Sequence, residues 1–375
     1  MKILRVYQDL EKYLQPNKML VIFGPRQVGK TTLVKDFLDQ TSMKWRYETG
    51  DDSRMREIFS SLDRTLITEF VKGYDILVID EAQRIENIGT ALKIIVDNVP
   101  NIRVIATGSS SFELAGQIGE PLTGRKNTLS LFPIAQMELR SFTNDVDLKS
   151  QLQKYLIYGS YPEIITSEDD SFKIKRIEEI THSYLLKDIL ELEQVKSSKI
   201  LLDILRLLAF QVGNEVSYSE IAQKVNIDTK TVIRYLDLFE KAFVLLNVRG
   251  YSGNLREEVT RKSKYYFYDN GVRNALISNF NPIHLRDDIG MLWENFIFME
   301  RLKKRSYQSL SANVYFWRTW QQQEVDIVEE REGKLFGYEL KYSKNKVKIP
   351  SLWKETYPQS SFEVFTKENY LDFVG

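Results

Sequence analysis

The first third of the chain alternates short apolar runs with amphipathic stretches. MLVIF (19–23), KWRYET (44–49), ILVID (76–80) and RVIAT (103–107) are short and mostly apolar or β-branched. ILVID lacks polar alternation, as a strand covered on both faces does. Helix-length segments such as TTLVKDFLD lie between these runs. The order is that of parallel strands with crossover helices and predicts an α/β fold with a doubly wound parallel sheet. From Leu131 to Leu192 the pattern turns helical, punctuated by Pro133 and the turn Gly159-Ser160-Tyr161-Pro162, and predicts a small helical lid.

Past Lys196 come KILLDILRLLAFQV, YSEIAQKV and DTKTVIRYLDLFEKA, followed by the β-rich FVLLNVRGY and KSKYYFYD. Helix, short helix, turn, longer helix and ribbon is the order of a winged helix-turn-helix. Asp228 or Thr229 caps the third helix, and Thr229, Lys230, Thr231 and Arg234 form its outer face, suited to phosphates and base edges. Arg249, Arg256, Arg261, Lys262 and Lys264 would supply a basic wing for backbone phosphate. From Gly290 the pattern runs helix, three strands and helix, a small α/β unit. The expected division is therefore residues 1–135, 136–195, 196–285 and 286–375, and 375 residues suit several domains.

Composition narrows the chemistry. There is no cysteine, which excludes disulfides, thiolate zinc sites and a cysteine nucleophile and fits a reducing compartment. Only His182 and His284 are present, so histidine-based zinc and serine-histidine catalysis are poorly supplied, and both histidines read as structural. Lys+Arg and Asp+Glu are equal at 52 each, so a basic surface for nucleic acid has to be local. No apolar run approaches the roughly 18 residues of a spanning helix, and the start, MKILRVYQDLEKYLQ, is amphipathic with acidic residues. The expectation is a cytoplasmic protein with no membrane contact.

Gly24-Pro25-Arg26-Gln27-Val28-Gly29-Lys30-Thr31-Thr32 matches G-x-x-x-x-G-K-[ST] between a strand and a helix. The glycines let backbone N–H groups curl around a β-phosphate, and the helix aims its positive end at the same charge. Lys30 is expected to reach the β/γ-phosphates and Thr31 a Mg2+ ion. ILVID ends in Asp80, a second metal ligand, and Glu81, placed to orient or deprotonate an attacking water. RVIAT leads into Thr107-Gly108-Ser109-Ser110-Ser111, whose hydroxyls could sense a γ-phosphate, with Ser109 as the candidate. Arg125 could reach the γ-phosphate on a neighbouring subunit, which requires an oligomer.

With these residues in view, the chain resembles bacterial and archaeal AAA-type P-loop ATPases fused to a C-terminal region of unknown function. The matching pieces are GPRQVGKTTL, ILVIDEAQR, IATGSSSFEL, LTGR, LFPIAQMEL, YGSYPEI and the late EVD and ELK. The resemblance implies binding and hydrolysis of ATP by the residues just named. PIAQMEL departs from the serine-phenylalanine pair that members commonly carry before the glutamate, without touching the phosphate ligands.

In the last unit Asp326 and Glu339 are separated by twelve residues, and Lys341 follows, so the segment reads D-x(12)-E-x-K, with Glu294 on the preceding helix. Alternation sets Glu339 and Lys341 on one face, and a hairpin partner brings Asp326 alongside. This resembles the restriction-endonuclease-like fold, in which Asp326 and Glu339 would bind metal and Lys341 would help generate a nucleophile. The leading expectation is an ATPase coupled to a C-terminal DNA-binding, nuclease-like region. The alternatives are an ATP-dependent switch that binds a protein partner without nuclease activity, and a nuclease for which ATP is a regulator.

Overall fold

The computed structural model describes residues 3–109, 124–182, 197–252, 263–343 and 347–375, with the backbone of 183–185 and residue Ile189. Strands β1 (Lys18–Phe23), β2 (Trp45–Thr49), β3 (Ile76–Asp80), β4 (Arg103–Gly108) and β5 (Lys126–Ser130) form one parallel sheet in the order β2-β3-β4-β1-β5. The carboxyl ends of β1, β3 and β4 therefore share an edge, which is where ligands bind in open α/β sheets. The four expected strands are present. β5 was not apparent from the pattern, because KNTLS is largely polar and only Leu129 in it is buried.

Side-chain alternation along β1 divides the apolar core. Met19, Val21 and Phe23 join Leu77, Ile79, Val104 and Ala106 under the helices Ser53–Ser60, Arg64–Phe70 and Ile88–Asn98. Leu20 and Ile22 face the other way, onto Leu33, Val34 and Phe37 of the helix Lys30–Leu38. That second core runs on through the helical segment to Tyr370 and Phe373 near the C-terminus. One face of the first sheet is private, and the other is shared with the rest of the chain.

The second sheet has seven strands. β6 (Glu215–Val216), β7 (Leu245–Gly250) and β8 (Ser263–Phe267) come from the segment with the three helices Ser198–Phe210, Tyr218–Val225 and Thr229–Lys241. β9 (Asn313–Arg318), β10 (Glu324–Arg331), β11 (Lys334–Leu340) and β12 (Ser361–Phe365) complete it in the order β12-β11-β10-β9-β7-β8-β6. Parallel pairing of β7 with β9 makes the two sets continuous. The β10–β11 turn is a two-residue loop with Glu332 at φ 50° and Gly333 at φ 72°, the left-handed pair that a tight hairpin requires. β12 and the short helix Ser351–Thr356 lie where the sequence pattern suggested a single closing helix.

The long helix Ile289–Tyr307 packs on this sheet and reaches back to the first half. Its Glu300 accepts from the Gln136 N–H at 2.6 Å, and its Lys303 donates to Glu300 at 2.6 Å and to the Ile134 carbonyl at 3.3 Å. Burial pushes the Glu300 carboxyl up, and Lys303 opposes that shift. The Gly-Ser-Tyr-Pro turn docks on the helix Asn270–Leu276. Asp269 accepts from the Ser160 N–H at 2.7 Å, and Asn274 donates to the Leu156 and Ile157 carbonyls at 3.1 and 2.8 Å. A Cβ on Gly159, at φ 82°, would sit 1.9 Å from an Asp269 oxygen, so only glycine makes this turn. Among the described residues no helix is long and apolar enough to cross a membrane.

Candidate nucleotide site and the C-terminal carboxylate cluster

β1 ends at Phe23 and the chain turns at once through Gly24, whose φ is +150°. A Cβ there would lie 1.9 Å from the Leu131 carbonyl oxygen, so the turn is closed to any side chain. Gly29, at φ 96°, caps the helix Lys30–Leu38 and leaves its first N–H groups pointing into the loop. Lys30 is buried and donates to the Gly24 and Pro25 carbonyls, both at 2.8 Å, so the ammonium lies inside the ring of backbone that the sequence assigned to phosphate. Thr32 is exposed on the first turn of the same helix, beside the half-buried Thr31.

Asp80 closes β3 and gathers three hydroxyls. Thr31 Oγ1 donates to its Oδ2 at 2.8 Å, Tyr47 Oη donates to the same oxygen at 2.5 Å, and Thr107 Oγ1 donates to Oδ1. The parallel register that places Thr49 beside Asp80 also brings Tyr47 to this edge, two residues back along β2. Burial, then the bond to Asp80 and its charge, raise the Tyr47 phenol, so it stays a donor. Glu81 follows with a left-handed backbone (φ 50°), and its N–H reaches Thr107 Oγ1 at 3.3 Å. Its carboxylate accepts from Gln83 Nε2 at 2.5 Å and is half-buried.

The sequence-based candidates Gly24 to Thr32, Asp80 and Glu81 thus meet at one end of the sheet. Ser109, just past β4, is buried at the same end, while Ser110 and Ser111 lie outside the described residues. Thr107 is the strand-end hydroxyl that touches Asp80, and Tyr47 is a contact that the sequence pattern did not single out. Arg125 lies elsewhere. Its carbonyl accepts from the Met19 N–H at 2.9 Å, at the opposite end of β1 from the loop, and its guanidinium is ion-paired with Asp97. Five residues of strand, roughly 16 Å, separate it from the loop of its own chain.

Behind the loop stands Arg5. Its guanidinium donates to the Val28 carbonyl at 2.5 Å, to the Phe132 carbonyl at 2.6 Å, to Glu138 at 2.8 Å and to the Tyr307 hydroxyl at 3.2 Å. Tyr307 also accepts from the Phe132 N–H, and Glu138 from the N–H groups of Val6 and Ala135. The loop's rear wall is thereby tied to the long helix Ile289–Tyr307.

In the second sheet the β10–β11 hairpin pairs Ile327 with Tyr338, which sets Asp326 opposite Glu339. A bulge in β10 between Val325 and Val328 re-aims Asp326. Glu294 enters from the long helix, and Glu324 and Lys264 from β10 and β8. Lys341 pairs with Glu339 at 2.6 Å, Lys264 with Glu294 at 3.3 Å and with Glu324, and the Leu340 N–H donates to Asp326 at 2.7 Å. Burial, then Glu294 and Glu339, push the Asp326 carboxyl well up, against the pull of Lys341 and Lys264. Burial also raises Glu339, while Lys341 opposes the shift. Lys264, which the sequence placed in an exposed wing, is buried, and Glu324 was not anticipated. Of the other wing residues, Arg256, Arg261 and Lys262 lie outside the described residues.

Comparison with known proteins matches three parts of the chain. Residues 16–140 match a family model described as AAA domain. Residues 149–282 and 289–358 match two further models, each described as a domain of unknown function (DUF8612 and DUF4143). An uncharacterized protein of Methanocaldococcus jannaschii is 25% identical over 412 residues, covering 98% of this chain and 89% of its own length. One of Mycobacterium tuberculosis is 25% identical over 336 residues (88% and 72%), and one of Haemophilus influenzae 27% over 324 residues (79% and 77%). The match over residues 16–140 supports an AAA-type P-loop ATPase domain.

Proposed function

We propose that the chain hydrolyses ATP with Mg2+ at the Gly24–Thr32 loop, and that the C-terminal half delivers the consequence to DNA. The observation that carries the first part is the contact of Thr31 and Thr107 with Asp80 beside the glycine-shaped loop. Oxygen ligands from Thr31 and Asp80 stand 2.8 Å apart, a donor set suited to a small hard cation. Bound Mg2+ would neutralise charge on the transferring phosphoryl group. Lys30, already inside the loop on the Gly24 and Pro25 carbonyls, would exchange these for phosphate oxygens. Tyr47 and Thr107 hold Asp80 in place through hydrogen bonds to its two oxygens, and Glu81 is held by Gln83 at the edge where water would approach. Arg125, in this reading, serves a neighbouring copy.

For the second part, the helix Thr229–Lys241 carries Thr229, Lys230 and Arg234 on its exposed side, after the Asp228 cap accepts from the Thr231 N–H at 2.9 Å. Cations and hydroxyls along one face of such a helix suit a phosphate backbone. A protein partner is the competing occupant. The test is ATP turnover by the full chain, with and without duplex, branched and single-stranded DNA. The expected result is Mg2+-dependent turnover that DNA stimulates, with the stimulation lost and basal turnover kept in Lys230→Ala with Arg234→Ala. Absence of turnover under every condition removes the first part. Turnover indifferent to all three DNA forms removes the second.

A further inference from the structure

The second sheet carries an acidic cluster with a built-in counterion. Glu294, Glu324, Asp326 and Glu339 face two ammonium groups, Lys264 and Lys341. Lys264 is 1% exposed, lies over the Phe316 ring at 5.1 Å, and bonds to both Glu294 and Glu324. It comes from β8, two strands away from β9 in the sheet order and more than fifty residues before β10 in sequence. We propose that the Lys264 ammonium is the resident cation of this cluster, and that the cluster takes no divalent metal while that lysine is in place.

The remaining donors support the same reading. Tyr266, on the same strand face as Lys264, donates to Glu294 at 2.7 Å, the Leu340 N–H donates to Asp326 at 2.7 Å, and Lys341 binds Glu339. A divalent ion needs several carboxylate oxygens converging with their lone pairs open. Among the described residues no three Asp, Glu, His or Cys side chains are so grouped. Entry of a metal would require a desolvated ammonium to leave two carboxylates, and a buried ion pair resists losing one partner far more than an exposed one does. The residues present therefore do not fit the metal centre that the D-x(12)-E-x-K spacing suggests. They fit an ionic lock joining β8 to the long helix and to β10. Removing Lys264 leaves four carboxylates against one ammonium, a charge excess that a divalent cation would relieve.

This goes beyond the ATPase reading and can be tested separately from it. In the full chain carrying Asp80→Asn, which removes the carboxylate of the loop's metal site, Mn2+ binding is followed by electron paramagnetic resonance of the free ion. Only binding that Asp326→Asn abolishes counts as belonging to the cluster. The expected result is none in the parent up to about 1 mM Mn2+, and one Mn2+ per chain, bound at least about tenfold more tightly, after Lys264→Gln. Should Lys264→Gln fail to fold by near-ultraviolet circular dichroism, Lys264→Met with Glu324→Gln removes both ends of the pair and should likewise bind. Asp326-dependent Mn2+ binding by the parent at or below that concentration overturns the proposal. So does a folded Lys264 variant that binds no more tightly than the parent.

Discussion

Arg5→Ala is the substitution with the widest expected effect outside the loop itself. It removes donors from the Val28 and Phe132 carbonyls and from Tyr307, and it strips the partner from Glu138, whose side chain is fully buried. Breaking one side of a buried ion pair costs about 3–5 kcal/mol. Glu138 keeps the N–H groups of Val6 and Ala135, at 3.0 and 2.9 Å, which places the loss at the lower end of that range. At roughly 2–4 °C per kcal/mol for a unit of 150–250 residues, about 3 kcal/mol lowers the melting temperature by about 6–12 °C. Arg5→Lys keeps the charge but gathers its donors on one nitrogen, where the guanidinium reaches Glu138, Val28 and Phe132 from Nε, Nη1 and Nη2 separately, so it should recover less than half of that loss.

The assay is thermal unfolding with and without ATP, joined to turnover measured across ATP concentration. Release of the Val28 carbonyl loosens the loop's rear wall, so KM for ATP should rise more than kcat falls. Melting within about 1 °C of the parent, with KM unchanged, would show that Arg5 is not what holds the loop, whatever its contacts.

Lys30→Ala should abolish turnover, since the only ammonium inside the loop is lost, and retained parental activity would remove the site. Glu81→Gln should keep ATP binding, checked by equilibrium dialysis, and slow hydrolysis by about 10²-fold or more, the scale of a positioned base. Arg125→Ala mixed with Lys30→Ala should regain partial activity if Arg125 acts on a neighbouring copy, and no mixing ratio of assembled protein should do so if it serves only its Asp97 pair. Burial pushes the Glu240 carboxyl up to about 7 from its ordinary 4.5. The fold then holds this proton more tightly than the unfolded chain does, so the stability it contributes is complete below pH 4.5 and lost as pH rises through about 7. Glu240→Gln should accordingly raise melting at pH 8, leave it unchanged near pH 4, and flatten the profile between; an unaltered profile refutes the assignment.

The residues around the nucleotide loop were legible because their constraints are local. A glycine that must turn sharply after an apolar strand, and a lysine and threonine that open the next helix, leave a fixed spacing in the sequence. Asp80 and Glu81 announce themselves as acids at the end of a fully apolar strand. Arg5 and Glu138 leave no such trace, because the bond joins residues 133 positions apart and each alone reads as a surface charge. Tyr47 was hidden for the same reason. β5 escaped because an edge strand needs little apolar content. Lys264 shows the opposite failure. A lysine in a basic stretch reads as solvated, yet the aromatic run Tyr265-Tyr266-Phe267-Tyr268 that follows it was the signal of a strand buried on both faces.

Several of the contacts that sequence could not show converge on the helix Ile289–Tyr307. Glu294 near its start meets Lys264 and Tyr266, Glu300 and Lys303 in its middle hold Gln136 and Ile134, and Tyr307 at its end joins Arg5 behind the nucleotide loop. From Glu294 to Tyr307 is thirteen residues, or about 20 Å of helix, with buried polar bonds at both ends and the middle. Apolar packing alone would let such a helix slide by small steps at small cost. Hydrogen bonds to buried groups do not, because displacement leaves donors and acceptors unpaired where water cannot reach them. The loop and the carboxylate cluster are therefore joined by an element that moves as one piece or breaks several bonds together. A change at the loop that displaced Val28 by even one ångström would have to be absorbed by Arg5 or passed to Tyr307.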